Sequence, residues 1–171
     1  MRRGFTLLEL MSTVAVLSIL LVYAVPSFHR IFEANKMQRL ADGLHGFVIQ
    51  SKSEAVLRRQ RLWAHIIIAE SDSSDGNWRI ELTNRSAPGI GTVIHAFSGQ
   101  PFQGISLTAS YASDQISFDG IHGRPSSGNI RFHPSGESSK ALKLVSHTLS
   151  ARVRICSDDR HKEHYGYSTC S

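Results

Sequence analysis

The sequence lacks the short signatures that mark most catalytic folds. No GxSxG, GxxxxGK[ST], HExxH or glycine fingerprint after a strand occurs in its 171 residues, so the common hydrolase, nucleotide-binding and metalloprotease patterns are absent. Its serines and nine histidines are scattered over loop-like stretches, where Ser/His/Asp sets arise by chance and argue for nothing. A membrane-tethered enzyme would need a buried polar pocket, which the sequence does not display. There is no internal repeat, and no turn-rich stretch is long enough to serve as a linker between domains. Charge is sparse as well. Nineteen Lys+Arg against fourteen Asp+Glu give +5, and loss of residues 1–4 would remove Arg2 and Arg3, leaving 17 basic side chains against 14 acidic. An excess this small allows an anionic partner only at a local site. Cysteine is nearly absent, with Cys156 and Cys170 alone, both near the C-terminus.

What the chain does have is one long apolar run. Residues 5–28 read FTLLELMSTVAVLSILLVYAVPSF with a single charge, Glu9, and at about 1.5 Å per helical residue they can cross a hydrocarbon core of about 30 Å. Arg2 and Arg3 before the run hold the amino end in the cytoplasm and send the rest of the chain across. A cleaved secretory signal is disfavoured, because Tyr23-Ala24-Val25-Pro26 continues into a helical pattern without a small-x-small site. A plain single-span anchor leaves Glu9 unexplained, since a carboxylate in an apolar helix is costly unless something pairs with it.

Arg3-Gly4-Phe5-Thr6-Leu7-Leu8-Glu9-Leu10 resembles the class III signal of type IV pilins and type II secretion pseudopilins. The resemblance implies cleavage by a prepilin peptidase after Gly4 and methylation of Phe5 as the new N-terminus. It also implies that Glu9 meets the amino group of a neighbouring subunit during assembly, which would remove two bare charges from hydrocarbon at once.

Pro26 predicts a kink or a melted turn where the apolar run ends. Beyond it Ile31, Ala34, Met37, Leu40, Ala41, Leu44, Phe47, Val48 and Ala55 recur at three- and four-residue steps, which extends an amphipathic helix to about Arg59. Leu40, Leu44 and Val48 are expected to pack on a sheet, and Phe28 to Met37 to face other subunits. Gly43 and Gly46 weaken such a helix, so tertiary packing must hold it.

After Arg61 short β-branched and aromatic runs alternate with turn residues, which predicts an antiparallel β domain against the helix. Candidate strands are Leu62–Ala69, Trp78–Thr83, Thr92–Phe97, Ile105–Ser110, Gln115–Phe118, Asn129–His133, Ala141–His147 and Arg152–Cys156. Trp78, Ile116-Ser117-Phe118-Asp119-Gly120, Gly123-Arg124-Pro125, Gly136 and Ala151-Arg152-Val153-Arg154-Ile155-Cys156 are similar to the globular domain of FimT/GspH-type minor pilins. The fold class is therefore α+β: a type IV pilin fold, with a long N-terminal α-helix, transmembrane in its first half, packed on an antiparallel β-rich globular domain. The expected divisions are a leader over 1–4, a transmembrane and assembly segment over 5–28, an amphipathic half-helix over 29–61, a β domain over 62–156 and a tail over 157–171.

The final strand and tail are the candidate ligand site. Arg152 and Arg154 alternate with Val153 and Ile155, so both guanidiniums leave one face while the apolar pair enters the core. Arginines about 6–7 Å apart along a strand suit successive phosphates, and Arg160, Lys162, Tyr165 and Tyr167 add charge and stacking surface. The strand resembles the GRxR motif to which DNA binding is attributed in the FimT branch, with Ala151 standing in place of its glycine and restricting the backbone there. Asp158, Asp159 and Glu163 dilute the field, and a charged strand that protects a sheet edge from aggregation is the bland alternative.

Cys156 and Cys170 form one disulfide in an oxidising compartment, worth on the order of 3 kcal/mol. Alternatively, Cys156, His161, His164 and Cys170 have the donor types of a tetrahedral zinc site. The disulfide is the favoured reading, with no metal and no cofactor. Expected partners are the prepilin peptidase, other major and minor pilins, the inner membrane before assembly, and DNA. The expected protein is a minor pilin at or near a pilus tip that binds DNA for natural transformation, lodged first in the inner membrane with a periplasmic domain and then in an extracellular pilus. The rival is a structural, GspH-like pseudopilin of a type II secretion system.

Overall fold

The structure of the protein, a computed structural model, describes residues 6–69 and 73–170, and for residues 23–27 and 29 the backbone alone. Gly4, Phe5 and the expected leader lie outside the described residues. The chain divides into two compact units, Met1–Asn35 and Lys36–Ser171.

Helix α1 runs over Leu7–Leu57. Thr6 caps its start, accepting the Glu9 N–H on Oγ1 at 3.2 Å, an arrangement that satisfies one of the orphan donors of the first turn. Ser12, Thr13 and Ser18 return their hydroxyls to the carbonyls of Glu9, Leu10 and Val14, so these polar groups are satisfied inside an apolar stretch. The helix continues through Pro26 without the melted turn that proline suggested. From Leu7 to Val22 the large apolar side chains are exposed, Leu7 at 78% and Val22 at 71%. Among the described residues no helix is long and apolar enough to cross a membrane, and the sequence's apolar run is described only in part.

The helix ends on a left-handed residue. Arg59 has φ 49, the Gln60 N–H reaches Ala55 O at 3.1 Å and the Arg59 N–H reaches Val56 O at 3.1 Å, the paired closure that usually takes glycine. Gly120 lies against this end. A Cβ there would come within 2.6 Å of Gln60 N, so the approach of the two backbones requires glycine.

In the second unit one helical stripe, Met37, Leu40, Ala41, Leu44, Phe47, Val48 and Ala55, is buried in a continuous core. Met37 is fully buried and belongs to this core rather than to an outer face, whereas Phe28, Ile31 and Phe32 are exposed. Gly43 admits the Phe97 ring, whose Cζ would lie 2.8 Å from an added Cβ.

Among the described residues eight strands follow: β1 Leu62–Ile68, β2 Trp78–Thr83, β3 Val93–Ser98, β4 Ile105–Ser110, β5 Gln115–Phe118, β6 Gly128–Pro134, β7 Leu142–Ser146 and β8 Val153–Ser157. They form two antiparallel four-stranded sheets, ordered β3-β2-β1-β5 and β4-β6-β7-β8. Alternation fills the core from both, as Ile80 and Leu82 of β2 in the first sheet and Ile130 and Phe132 of β6 in the second are buried while the residues between them face outward. The α+β class and the helix-on-sheet arrangement expected from the sequence are thus what the chain adopts. β8 is the outer strand of the second sheet, which leaves its outward face and edge available at the place where the arginines sit.

Candidate nucleic-acid interface

The β7–β8 register decides which side chains share a face. Val145 pairs with Arg154 and Lys143 with Cys156, while Leu144 pairs with Ile155 on the core side. Asn129 of β6 lies opposite Val145, so Asn129, Val145 and Arg154 make one cross-strand row pointing away from the core. The next row carries Arg131, Lys143 and Cys156. Past the end of β7 the His147 N–H donates to Arg152 O at 3.0 Å, which closes the turn and aligns Arg152 with this face. Arg152, Arg154, Lys143, His147 and Asn129 line an open groove of about 680 Å³, with Cys170 in its wall. Arg152 is exposed and Arg154 half-buried.

Asp158 limits the charge of this face. Its carboxylate takes Arg131 Nε at 2.7 Å and Lys143 Nζ at 2.5 Å, which links two cations of the outward row. Burial pulls the Asp158 carboxyl up, but the hydrogen bonds and charges of Lys143 and Arg131 together outweigh it and hold the group below its ordinary range.

Ala151, immediately before the arginine strand, is left-handed with φ 52. An alanine pays steric energy there that a glycine would not. Two contacts hold it: Lys52 Nζ of α1 donates to Ala151 O at 2.9 Å, and the Ala151 N–H reaches Thr148 O at 3.4 Å. Ala151 therefore occupies a left-handed conformation of the kind that favours glycine.

The tail after β8 folds back. Cys156 and Cys170 are joined, with Cα atoms 5.0 Å apart, so neither sulfur is available as a zinc thiolate. Ser157 receives Cys170 N–H on its carbonyl at 3.0 Å and donates its own N–H to Ser168 O at 2.7 Å, which lengthens the sheet edge by a short parallel bridge. His161 is exposed, and its N–H donates to Asp159 Oδ1 at 2.9 Å. That backbone bond is the main cause holding Asp159 below its usual pKa, with the nearby imidazoles adding to it. His164 Nε2 lies 3.7 Å from Asp159 Oδ2. Arg160 and Lys162 are exposed but do not line the groove. Tyr165 and Tyr167, read from the sequence as stacking surface, instead pack against the core. Tyr167 Oη donates to Asp42 Oδ1 at 3.1 Å and Gln38 Nε2 donates to Tyr165 O at 2.9 Å, so both pin the tail to α1. Burial first, then Asp42, pushes the Tyr167 hydroxyl up to about 12.

In the sequence Arg152 and Arg154 stand out and Asp158 reads as a diluting charge, whereas Lys143, His147 and Asn129, and the pairing of Asp158 with Arg131 and Lys143, went unseen. The signal was present for two of them, because Lys143 and His147 occupy alternate positions of one candidate strand that precedes the arginine strand by a tight turn. Glu9, in the first turn of α1, is exposed. A carboxylate there is favoured by the helix dipole, so its position has a local stabilisation beside any intersubunit partner.

A family model described as type II transport protein GspH matches residues 40–163. The chain belongs to the GspH family. A second model, the prokaryotic N-terminal methylation motif, matches residues 1–25. No curated protein sequence matches this GspH-family chain. Two crystal forms of the type IV minor pilin FimU of Pseudomonas aeruginosa strain PAO1 share its fold. One gives a TM-score of 0.58 at 16% identity over 73% of this chain and 91% of that one, the other 0.53 at 15% identity over 69% and 90%. The protein is thus of the minor pilin and pseudopilin class, families that are structural rather than catalytic. Cys156 and the tail as far as residue 163 fall within the matched GspH region, and Cys170 lies beyond it.

Two predictions follow from this geometry. Ala151→Gly is expected to stabilise the domain by about 0.5–1 kcal/mol, the relief of a left-handed alanine less the extra freedom of unfolded glycine. A lower thermal midpoint for that variant would contradict the strain. Asp158→Asn is expected to lower stability near neutrality. Because the folded carboxyl titrates below its unfolded value, its contribution is complete above about pH 4 and fades as pH falls through the folded pKa. Denaturation of both proteins along a pH series checks this, and a gap that widens toward acid would refute it.

Proposed function

We propose that the chain is a minor type IV pilin that is cut after Gly4, methylated on Phe5, anchored in the inner membrane by residues 5–28 and built into a fibre at or near its tip through Glu9. On this reading the domain crosses to the periplasm, its Cys156–Cys170 bond suits that oxidising compartment, and the assembled protein binds DNA non-specifically for uptake. The observation that carries the DNA reading is the groove in which Arg152 and Arg154 lie beside Lys143 and His147 on the outward face of an edge strand. Guanidiniums on such a face match duplex phosphates without reading bases, and no catalytic step is involved. Arg160 and Lys162 contribute at longer range from the tail. Partners are the prepilin peptidase, neighbouring pilins and DNA.

The second reading, a structural pseudopilin of a type II secretion system, is favoured by the description of the matching family and by the Asp158 clamp that neutralises part of the outward face. It predicts no salt-dependent DNA binding.

The full chain in a non-ionic detergent is the material for a decisive comparison by fluorescence anisotropy with labelled duplex DNA. Arg152→Gln/Arg154→Gln is expected to bind more weakly and to show a slope of log K against log salt shallower by about 1.8, the value for two lost phosphate contacts. Identical slopes for variant and wild type would remove the groove as the site.

A further inference from the structure

A second basic cavity lies on the other side of the β7–β8 turn. It is a hollow of about 280 Å³ lined by Arg61, Arg124, Ser117, Ser126, Thr148 and Asp119. Both arginines are exposed, and among the described residues neither guanidinium has an ion pair. That contrasts with Arg58, Arg79 and Arg131, each paired to a carboxylate. Arg61 follows the left-handed end of α1, and Arg124 follows Gly123, whose φ of 63 turns the 119–124 loop back toward the helix.

The hollow is built on constrained backbone. The Ser126 N–H donates to Ser117 O at 2.8 Å and Ser126 Oγ accepts the Ser117 N–H at 3.1 Å, fixing two of the three hydroxyl residues. The third, Thr148, is held by Ser127, whose Oγ accepts the Thr148 N–H at 3.0 Å and lies 3.0 Å from Thr148 Oγ1. Asp119 is the unfavourable neighbour for an anion. Its oxygens already accept the N–H groups of Ile121 at 3.3 Å and His122 at 2.9 Å, and the His122 ring stands 3.4 Å away. This carboxylate is therefore turned to its own loop and partly compensated.

The turn that separates the two cavities is shared. His147, Leu149 and Ser150 line the groove beside Arg152, whereas Thr148 lines the hollow beside Arg61 and Arg124. A chain of phosphates crossing this turn meets arginines on both sides of it. We infer that the hollow of Arg61, Arg124, Ser117, Ser126 and Thr148 is a second phosphate subsite, which takes the backbone of the same DNA that occupies the Arg152–Arg154 groove. The inference rests on the DNA reading of that groove and adds a continuous track over the β7–β8 turn. Two guanidiniums with three hydroxyls are the donors suited to a phosphodiester, and they read charge and shape rather than base identity.

Trp63 supplies a local reporter. It pairs with Ser117 across the β1–β5 ladder, stands two residues from Arg61 on the same face, and is half-buried, whereas Trp78 is buried. The full chain in non-ionic detergent, Arg61→Gln/Arg124→Gln and Arg152→Gln/Arg154→Gln are titrated with duplex DNA over a range of salt, reading anisotropy and tryptophan quenching together. The expected result is that Arg61→Gln/Arg124→Gln loses the quenching and shows a salt slope shallower by about 1.8, while keeping the circular dichroism spectrum of the wild type. An unchanged slope and undiminished quenching in that variant, with binding still sensitive to Arg152 and Arg154, would overturn the second subsite and leave the groove reading intact. No binding by the wild type would overturn both.

Discussion

The burial of one stripe of α1, from Met37 to Ala55, is the interaction on which the rest of the domain depends. A helix carrying Gly43 and Gly46 has little reason to persist alone, and the described core draws its helical share from this stripe and the rest from both sheets. The same half-helix then acts on the C-terminal segment through polar side chains. Gln38 and Asp42 hold the tail tyrosines, and Lys52 holds the carbonyl of the left-handed Ala151. Core packing thereby fixes the direction in which the last strand leaves its turn, and with it the side of the sheet on which Arg152 and Arg154 emerge.

Electrostatics sets the scale of what this face can do. The net charge of the chain is only +5, and Asp158 engages both Arg131 and Lys143. Attraction for a polyanion is accordingly local, arising from the groove arginines and, across the turn, from Arg61 and Arg124. On the proposed DNA reading, such a surface would give modest, strongly salt-dependent affinity.

Much of the fold was legible in the sequence. The described strands fall where β-branched runs sit between turn residues, because pleated alternation and turn chemistry are local signals. The helix stripe was legible for the same reason, apart from Met37, whose burial depends on how the domain closes over it. Less was legible at the site. Arg152 and Arg154 stood out by alternation and by resemblance, but Asp158 binds Arg131 from another strand, a pairing set by sheet order rather than by spacing. The tail tyrosines look like ligand-stacking residues in sequence, yet their partners Gln38 and Asp42 lie more than a hundred residues earlier. Ala151 looked like a departure from a glycine motif, and the structure places it in a left-handed conformation with its carbonyl held by a lysine.

The central claim is that DNA lies on the outward face of β7 and β8. Photo-crosslinking of the full chain to duplex DNA carrying 4-thiothymidine, followed by peptide mapping, tests it most directly. The account predicts adducts within residues 142–154, around Lys143, His147, Arg152 and Arg154. Adducts confined to residues 158–170, around Arg160 and Lys162, or placed on β2 and β3 of the other sheet, would contradict it.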